Sequence, residues 1–250
     1  MTALENKCAI KMENITKRFG SVVANNAINM ELREGEILSL LGENGSGKTT
    51  LMNMLSGIYF PDEGQIYIHD KPVTIASPKD AFDLGIGMIH QHFKLVDLFT
   101  ATENIILGLE GKLDLSSARK KVQDICDRYG FDIDPDMKIY DMSVSQKQTV
   151  EIVKVLYRGA DILILDEPTA VLTPQETDKL FAVMRNMKAD GKSLIIITHK
   201  LHEVLDVSDR VAVLRKGEYI GDVMTKDADQ QSLTDMMVGH SVTLNINRPD

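Results

Sequence analysis

Long apolar runs are what this chain most lacks. Those present, such as Leu194 to Ile197, are short, whereas a membrane-spanning helix needs about 20 consecutive apolar residues. The opening stretch, Met1 to Asn14, carries Glu5, Lys7 and Lys11 and no apolar segment of the secretory kind. Cysteine is scarce too. Cys8 and Cys126 are the only two, too few for a disulfide framework or a thiolate metal cluster. These absences point to a soluble protein in a reducing, cytoplasmic compartment. Net positive charge is also missing: 28 Lys and Arg face 37 Asp and Glu, a formal charge of −9. No global field therefore draws the chain to nucleic acid or to an anionic membrane. Internal repeats and low-complexity segments are absent. What remains is 250 residues, 43% hydrophobic and 26% charged, enough for a substantial core in one or two closely packed lobes.

The rest is organised around Gly42-Glu43-Asn44-Gly45-Ser46-Gly47-Lys48-Thr49. The apolar run Ile37 to Leu41 before it reads as a buried strand. Thr50 to Leu55 after it reads as a helix that stops near Gly57. This is the phosphate-loop pattern G-x-x-x-x-G-K-[ST] in a strand–loop–helix setting. Glycines let the backbone curl so that successive N–H groups face phosphate oxygens, and the helix N-terminus adds partial positive charge. Lys48 is expected to reach the β- and γ-phosphates, and Thr49 to offer its hydroxyl to Mg²⁺. The stretch predicts a nucleotide site.

In chain order, Ile10 to Phe19 and Ala27 to Glu31 alternate partly, as half-buried strands do. Phe19-Gly20 falls in a loop, where the aromatic reads as a core anchor in preference to a base-stacking ring. A turn at Pro61 to Gly64 leads to a short strand, Gln65 to Ile68. Ile86 to Ile89 is a further buried strand, ending at His90-Gln91-His92. That H-x-H pair has no third ligand at a familiar spacing, so it is not read as a metal site. From Phe93 to Met142 strand signals vanish. Thr102 to Leu107 and Ser116 to Tyr129 read as helices, which predicts a helical lobe inserted into an α/β core. A helix opens at Ser143 and runs to about Arg158. Ile162 to Leu165 then reads as a parallel strand covered on both faces, delivering Asp166 and Glu167 at its C-terminal end. Thr173, Pro174 and Glu176 start a helix that Gly191 closes. The strand Ser193 to Thr198 ends at His199, before a short helix, Leu201 to Asp206. A hairpin spans 211–223, a last helix begins near Gln230, and 241–250 reads as irregular.

An acidic pair at a strand end, far downstream of a phosphate loop, suits Mg²⁺-dependent phosphoryl chemistry. Asp166 is placed to hold the metal, directly or through water, and Glu167 to act as general base toward an attacking water.

With these residues the sequence closely resembles the ATP-binding cassette ATPases, over nearly its whole length. Gln91 matches that family's Q-loop glutamine, Met142 to Gln146 its signature, and His199 its switch histidine. The resemblance implies an α/β fold: a P-loop NTPase (RecA-like) core with a small antiparallel β subdomain and an inserted helical lobe. It implies one nucleotide-binding domain over 1–250, with 1–92 and 146–229 as the core, 93–145 as the helical subdomain and 230–250 as a C-terminal tail. ATP and Mg²⁺ are the implied cofactors. Phe19 would stack on adenine. Residues Gly42, Glu43, Asn44, Gly45, Ser46, Gly47, Lys48, Thr49 and Thr50 would hold the phosphates. Thr49, Gln91 and Asp166 would hold the metal, and Lys48, Glu167 and His199 would act in hydrolysis. Ser143, Val144, Ser145 and Gln146 would meet the nucleotide of a second cassette docked head to tail. The implied partners are that cassette, transmembrane permease subunits docked on the helical lobe, and indirectly a substrate-binding protein, with no nucleic acid. The implied place is the cytoplasmic face of the cell membrane.

Two positions depart from the family pattern. Ser145 stands where a glycine is common, and a positive φ there would add strain on the order of 1 kcal/mol. Thr173 stands where many members carry aspartate. A finer resemblance, to ribose- and nucleoside-type uptake cassettes, rests on Ile89 to Phe93, Thr102 to Gly108 and Glu167 to Thr173. Such ATPases usually hold two cassettes in one polypeptide, and this chain matches the first. Two alternatives stay open: a non-hydrolysing regulatory cassette, and a soluble cassette ATPase of translation or DNA repair.

Overall fold

The computed structural model describes residues 7–91, 93–111 and 114–239. Strands β1 (Cys8–Phe19), β2 (Val22–Arg33), β4 (Glu63–Ile68) and β5 (Lys71–Val73) form an antiparallel sheet in the order β2-β1-β4-β5. The second sheet holds β3 (Ile37–Leu41), β6 (Ile86–Ile89), β7 (Ile162–Asp166), β8 (Ser193–Thr198), β9 (Arg210–Arg215) and β10 (Glu218–Met224). Its order is β10-β9-β3-β8-β7-β6, parallel throughout except for β10 at the edge.

Period-two packing explains why the central strands read as unbroken apolar runs. Ile162 and Ile164 of β7, with Ile195 and Ile197 of β8, face a core shared with the antiparallel sheet and helix α1 (Lys48–Leu55). Leu163 and Leu165, with Leu194 and Ile196, face the opposite side. There they meet two later helices, α5 (Val144–Tyr157) and α6 (Pro174–Ala189). A strand covered on both faces needs apolar residues at every position. Each such Leu or Ile contributes roughly 1.5–3 kcal/mol on burial.

Helix α2 (Pro78–Asp83) lies before β6, and α3 (Ala101–Ile106) and α4 (Leu115–Tyr129) follow it. Ala101 and Ile105 of α3, Val122 and Cys126 of α4 and Val150 and Val153 of α5 make a separate apolar cluster. Helix α5 thus has two duties, since Ile152, Val155 and Leu156 pack on the sheet. Helices α7 (Leu201–Val207) and α8 (Gln230–Val238) close the β9 end through Val204, Val211, Val213 and Leu233.

Four elements differ from the sequence-based expectation. Strand β2 begins at Val22 instead of Ala27, because Val22, Val23 and Asn25 pair with Phe19, Arg18 and Lys17 across bulges in β1. Strand β4 begins at Glu63, so Gly64 belongs to the ladder and not to the turn. Its φ of +99° brings the backbone so close to Glu13 and Asn14 that a Cβ would sit 2.5 Å from their carbonyl oxygens. The short elements β5 and α2 were not expected. Helix α2 carries a local signal, a Ser77 cap bonded to the Asp80 N–H with proline in the first turn. The expected irregular stretch 241–250, and His92, lie outside the described residues.

Candidate functional site

Strand β3 is buried along its whole length and ends at the loop 42–47, which turns directly into α1. Gly47 ends the loop with φ +97°, and a Cβ there would lie 2.4 Å from the Ala24 carbonyl oxygen. At Gly42 a Cβ would lie 2.3 Å from the Leu214 carbonyl oxygen. The β2 and β9 backbones therefore press on the loop at these two glycines. Lys48 is buried, and its ammonium donates to the carbonyls of Gly42, at 2.7 Å, and Glu43, at 2.9 Å. Burial pulls its pKa down, against the opposing pull of Glu167, Asp166 and Glu43.

The β7 carboxylates lie across the same cleft. Thr49 Oγ1 is 3.3 Å from Asp166 Oδ2, which makes a pair with oxygen donors only. Burial raises the Asp166 pKa above the ordinary carboxyl range, and the neighbouring Glu167 charge adds to this. Glu167 has φ +49°, unusual for a residue with a side chain. The turn aims its carboxylate back into the cleft, where Oε1 lies 2.8 Å from His199 Nδ1. Its Oε2 is buried and finds no hydrogen-bond partner among the described residues. Such an atom is costly unless something fills the site.

An acid whose pKa is raised on folding destabilises when ionised. The penalty is absent below the ordinary carboxyl range, grows as pH climbs from the ordinary to the raised value, and is complete above it. Asp166→Asn deletes it, so the nucleotide-free protein is expected to melt higher than the parent at neutral pH. The gain should shrink on acidification. Scanning calorimetry at several pH values checks this, and an unchanged melting temperature at neutral pH contradicts it.

Together these residues line a cleft of about 750 Å³ that also includes Asn44, Gly45, Thr50 and Gln91. Sequence reasoning missed several of its walls. Val22 to Ala24 and Lys216-Gly217 border it. Asn25 is buried beneath the loop, with Nδ2 donating to the Gly47 carbonyl at 3.2 Å. The Gly217 N–H donates to the Ser46 carbonyl at 3.1 Å, and its own carbonyl accepts from Asn26. A glycine at the 216–217 turn was the only local trace of that contact.

Phe19 corrects the expectation of a core anchor. It stands at the end of β1, 43% exposed, outside the residues that line the cleft. Its ring meets Tyr59 edge-on at 5.2 Å, and the Lys17 ammonium lies 5.5 Å from it. The strand ladder runs past the core here, so Val22 and Val23 opposite are exposed as well.

The residues 143–146 lie apart from the phosphate loop. Ser143 caps α5, accepting from the Gln146 N–H, while the Gln146 side chain accepts from the Ser143 N–H. Ser145 sits in the first helical turn and not in the left-handed region, so the strain expected for a non-glycine residue does not arise. Its hydroxyl is 3.1 Å from that of Ser143. Ser143, Ser145 and Gln146 border a second cavity, of about 510 Å³, with Leu172, Glu176 and Leu180. Val144 is exposed. Thr173 caps α6 in a capping box with Glu176, a task that aspartate performs equally well.

Among the described residues no set of three or more His, Cys, Asp or Glu is arranged to hold a metal ion by itself. His90 lines another cavity, beside Lys94 and Glu151, and burial lowers its pKa. The Thr49–Asp166 pair, by contrast, fits Mg²⁺, which binds through one or two protein oxygens and takes the rest from phosphate and water.

The nucleoside import ATP-binding protein NupA of Lactococcus lactis subsp. cremoris is 54% identical over 244 residues, covering 96% of this chain and 48% of that protein. The guanosine import ATP-binding protein NupO of Bacillus subtilis is 52% identical, covering 94% and 47%. The chain thus spans about half the length of the curated relatives it matches. A solved dimeric ATP-binding cassette in a post-hydrolysis state, bound to ADP and Pi, superposes with a TM-score of 0.74 at 26% identity. That match covers 86% of this chain and 98% of the other. Residues 25–170, from the strand beneath the phosphate loop to just past Glu167, match the ABC transporter family, and the chain belongs to that family.

Proposed function

We propose that this chain is the ATP-binding and ATP-hydrolysing cassette of a transporter that imports nucleosides or sugars. The observation that carries the hydrolytic reading is the Glu167 carboxylate. One oxygen is fixed by His199, the other is buried without a partner among the described residues, and the residue itself lines the cleft of the phosphate loop. A general base needs an oxygen within reach of the water it deprotonates, and a rotamer that does not wander. The contact with His199 supplies the second and leaves Oε2 for the first.

In this reading the 42–50 amides and Lys48 bind the phosphates, and the Lys48 ammonium leaves its own loop carbonyls for β- and γ-oxygens. Thr49, Gln91 and Asp166 hold Mg²⁺, which when bound neutralises charge on the phosphates. Glu167 takes the proton of the attacking water at Oε2, and His199 orients the base. Phe19, with its ring in solvent, is available to stack on adenine. The exposed N-terminus of α5, Ser143 to Gln146, meets the terminal phosphate bound to a second cassette, through the anion preference of a helix start. Residues 93–145 serve as the lobe that docks on transmembrane permease subunits at the cytoplasmic face of the membrane. A substrate-binding protein acts through those subunits. Nucleosides are favoured over sugars by the names of the relatives above 50% identity.

The test is ATP hydrolysis by the full-length protein assembled with its membrane partner in vesicles. Nucleoside delivered on the far side is expected to raise the rate. Hydrolysis that no nucleoside or sugar alters would remove the import reading, and absence of hydrolysis would remove the enzymatic one.

A further inference from the structure

Two consecutive backbone carbonyls follow Glu167, and each is tied to a different helix. The Pro168 carbonyl accepts from Gln148 Nε2 at 2.7 Å. The Thr169 carbonyl accepts from Lys200 Nζ at 2.9 Å, and the same ammonium lies 3.0 Å from Glu203 Oε1. The Thr169 hydroxyl donates to Glu203 Oε2. Gln148, Thr169 and Glu203 are all buried, at 5%, 1% and 5% exposure. Gln148 belongs to α5, little more than a turn beyond Ser143, and Lys200 directly follows His199.

Glu167 itself has the left-handed backbone, which a side chain disfavours. Such a conformation persists only where its surroundings over-determine it. Here the N–H of Glu167 is held by the Ile197 carbonyl at 2.9 Å, and the two carbonyls after it are pinned by side chains from different parts of the chain. Lys200 and Glu203 form an i,i+3 ion pair, and the Thr169 hydroxyl ties Glu203, and with it α7, to the same turn. Gln148 is different. Its amide reaches the Pro168 carbonyl alone, from the helix whose start faces outward.

We propose that Gln148 is a positioning residue for Glu167, fixing the Pro168 carbonyl so that the carboxylate keeps its aim and the α5 start stays mechanically linked to the base. This rests on the reading of Glu167 as the general base.

The test compares Gln148→Met, of similar length but without a donor, with Gln148→Glu in the full-length protein assembled with its membrane partner. For Gln148→Met we expect kcat about 10-fold lower, as a small misplacement of a reacting group costs. Its KM for ATP should stay within about twofold, while the lost buried hydrogen bond lowers its melting temperature modestly. Gln148→Glu should be slow when ionised, because a carboxylate cannot donate to a carbonyl, and should recover as the pH falls and the carboxyl regains a proton. In a Glu167→Gln background, where the base is gone, Gln148→Met should change single-turnover hydrolysis little. An unchanged kcat in Gln148→Met would overturn the proposal. So would a loss carried by KM, or the same loss in the Glu167→Gln background. Normal turnover in Glu167→Gln alone would instead overturn the base reading.

Discussion

Replacing Glu167 by glutamine is expected to leave ATP binding intact while lowering turnover by about 10²–10⁴-fold, the usual contribution of a positioned general base. Glutamine matches the carboxylate in size and can still accept from His199 at the position of Oε1. It cannot take a proton from water. The phosphate loop is untouched, since Lys48 and the 42–47 amides make no hydrogen bond to the Glu167 side chain. Binding of a fluorescent ATP analogue and single-turnover hydrolysis, measured on the same preparation, separate the two effects. Equal rates for the variant and the parent would move the base elsewhere.

The second large effect is expected on binding. Gly47→Ala should weaken ATP affinity by at least about 100-fold, which is what losing two charge-assisted N–H bonds to phosphate amounts to. Two causes act together. A left-handed backbone disfavours any side chain by roughly 1–2 kcal/mol. The larger one is steric, because the new Cβ would lie 2.4 Å from the Ala24 carbonyl oxygen and 2.7 Å from Asn25 Nδ2. The first atom is backbone and cannot swing away, so the loop must yield and its amides lose their convergence. Gly191→Ala supplies the control: φ is +86°, yet nothing lies within 4 Å of the added atom. It should lower stability by about 1 kcal/mol and leave affinity alone. Titration calorimetry with ATP reads both variants. Parental affinity in Gly47→Ala would contradict the cradle described above.

What the sequence showed of this site follows from how far each contact reaches along the chain. The phosphate loop is local, strand to loop to helix, and its pattern is written in consecutive residues. Strand β7 was equally legible, because burial on both faces leaves Ile162 to Leu165 unbroken before the acidic pair. Asn25, Lys216 and Gly217 were not. Asn25 reaches the loop only after the antiparallel sheet packs on the phosphate-loop strand, and Lys216-Gly217 only because β9, far along the chain, pairs beside β3; no spacing encodes either. Phe19 misled for a related reason, since an aromatic beside a strand usually anchors a core, whereas here the ladder outruns the core. A glycine-based pattern misplaces Ser145, whose backbone is ordinary helix. Elements β5 and α2 escaped because they are short, and β5 carries Pro72, which suits only an edge strand.

The central claim is that one cleft holds a triphosphate between the amides around Lys48 and the carboxylates of β7. A crystal structure of the protein with Mg²⁺ and a non-hydrolysable ATP analogue tests it most directly. The account expects the Lys48 ammonium on the terminal phosphates, a metal between them and the Thr49–Asp166 pair, and Glu167 Oε2 turned toward the last phosphorus. An analogue bound elsewhere, or a cleft left vacant at saturating nucleotide, would contradict it.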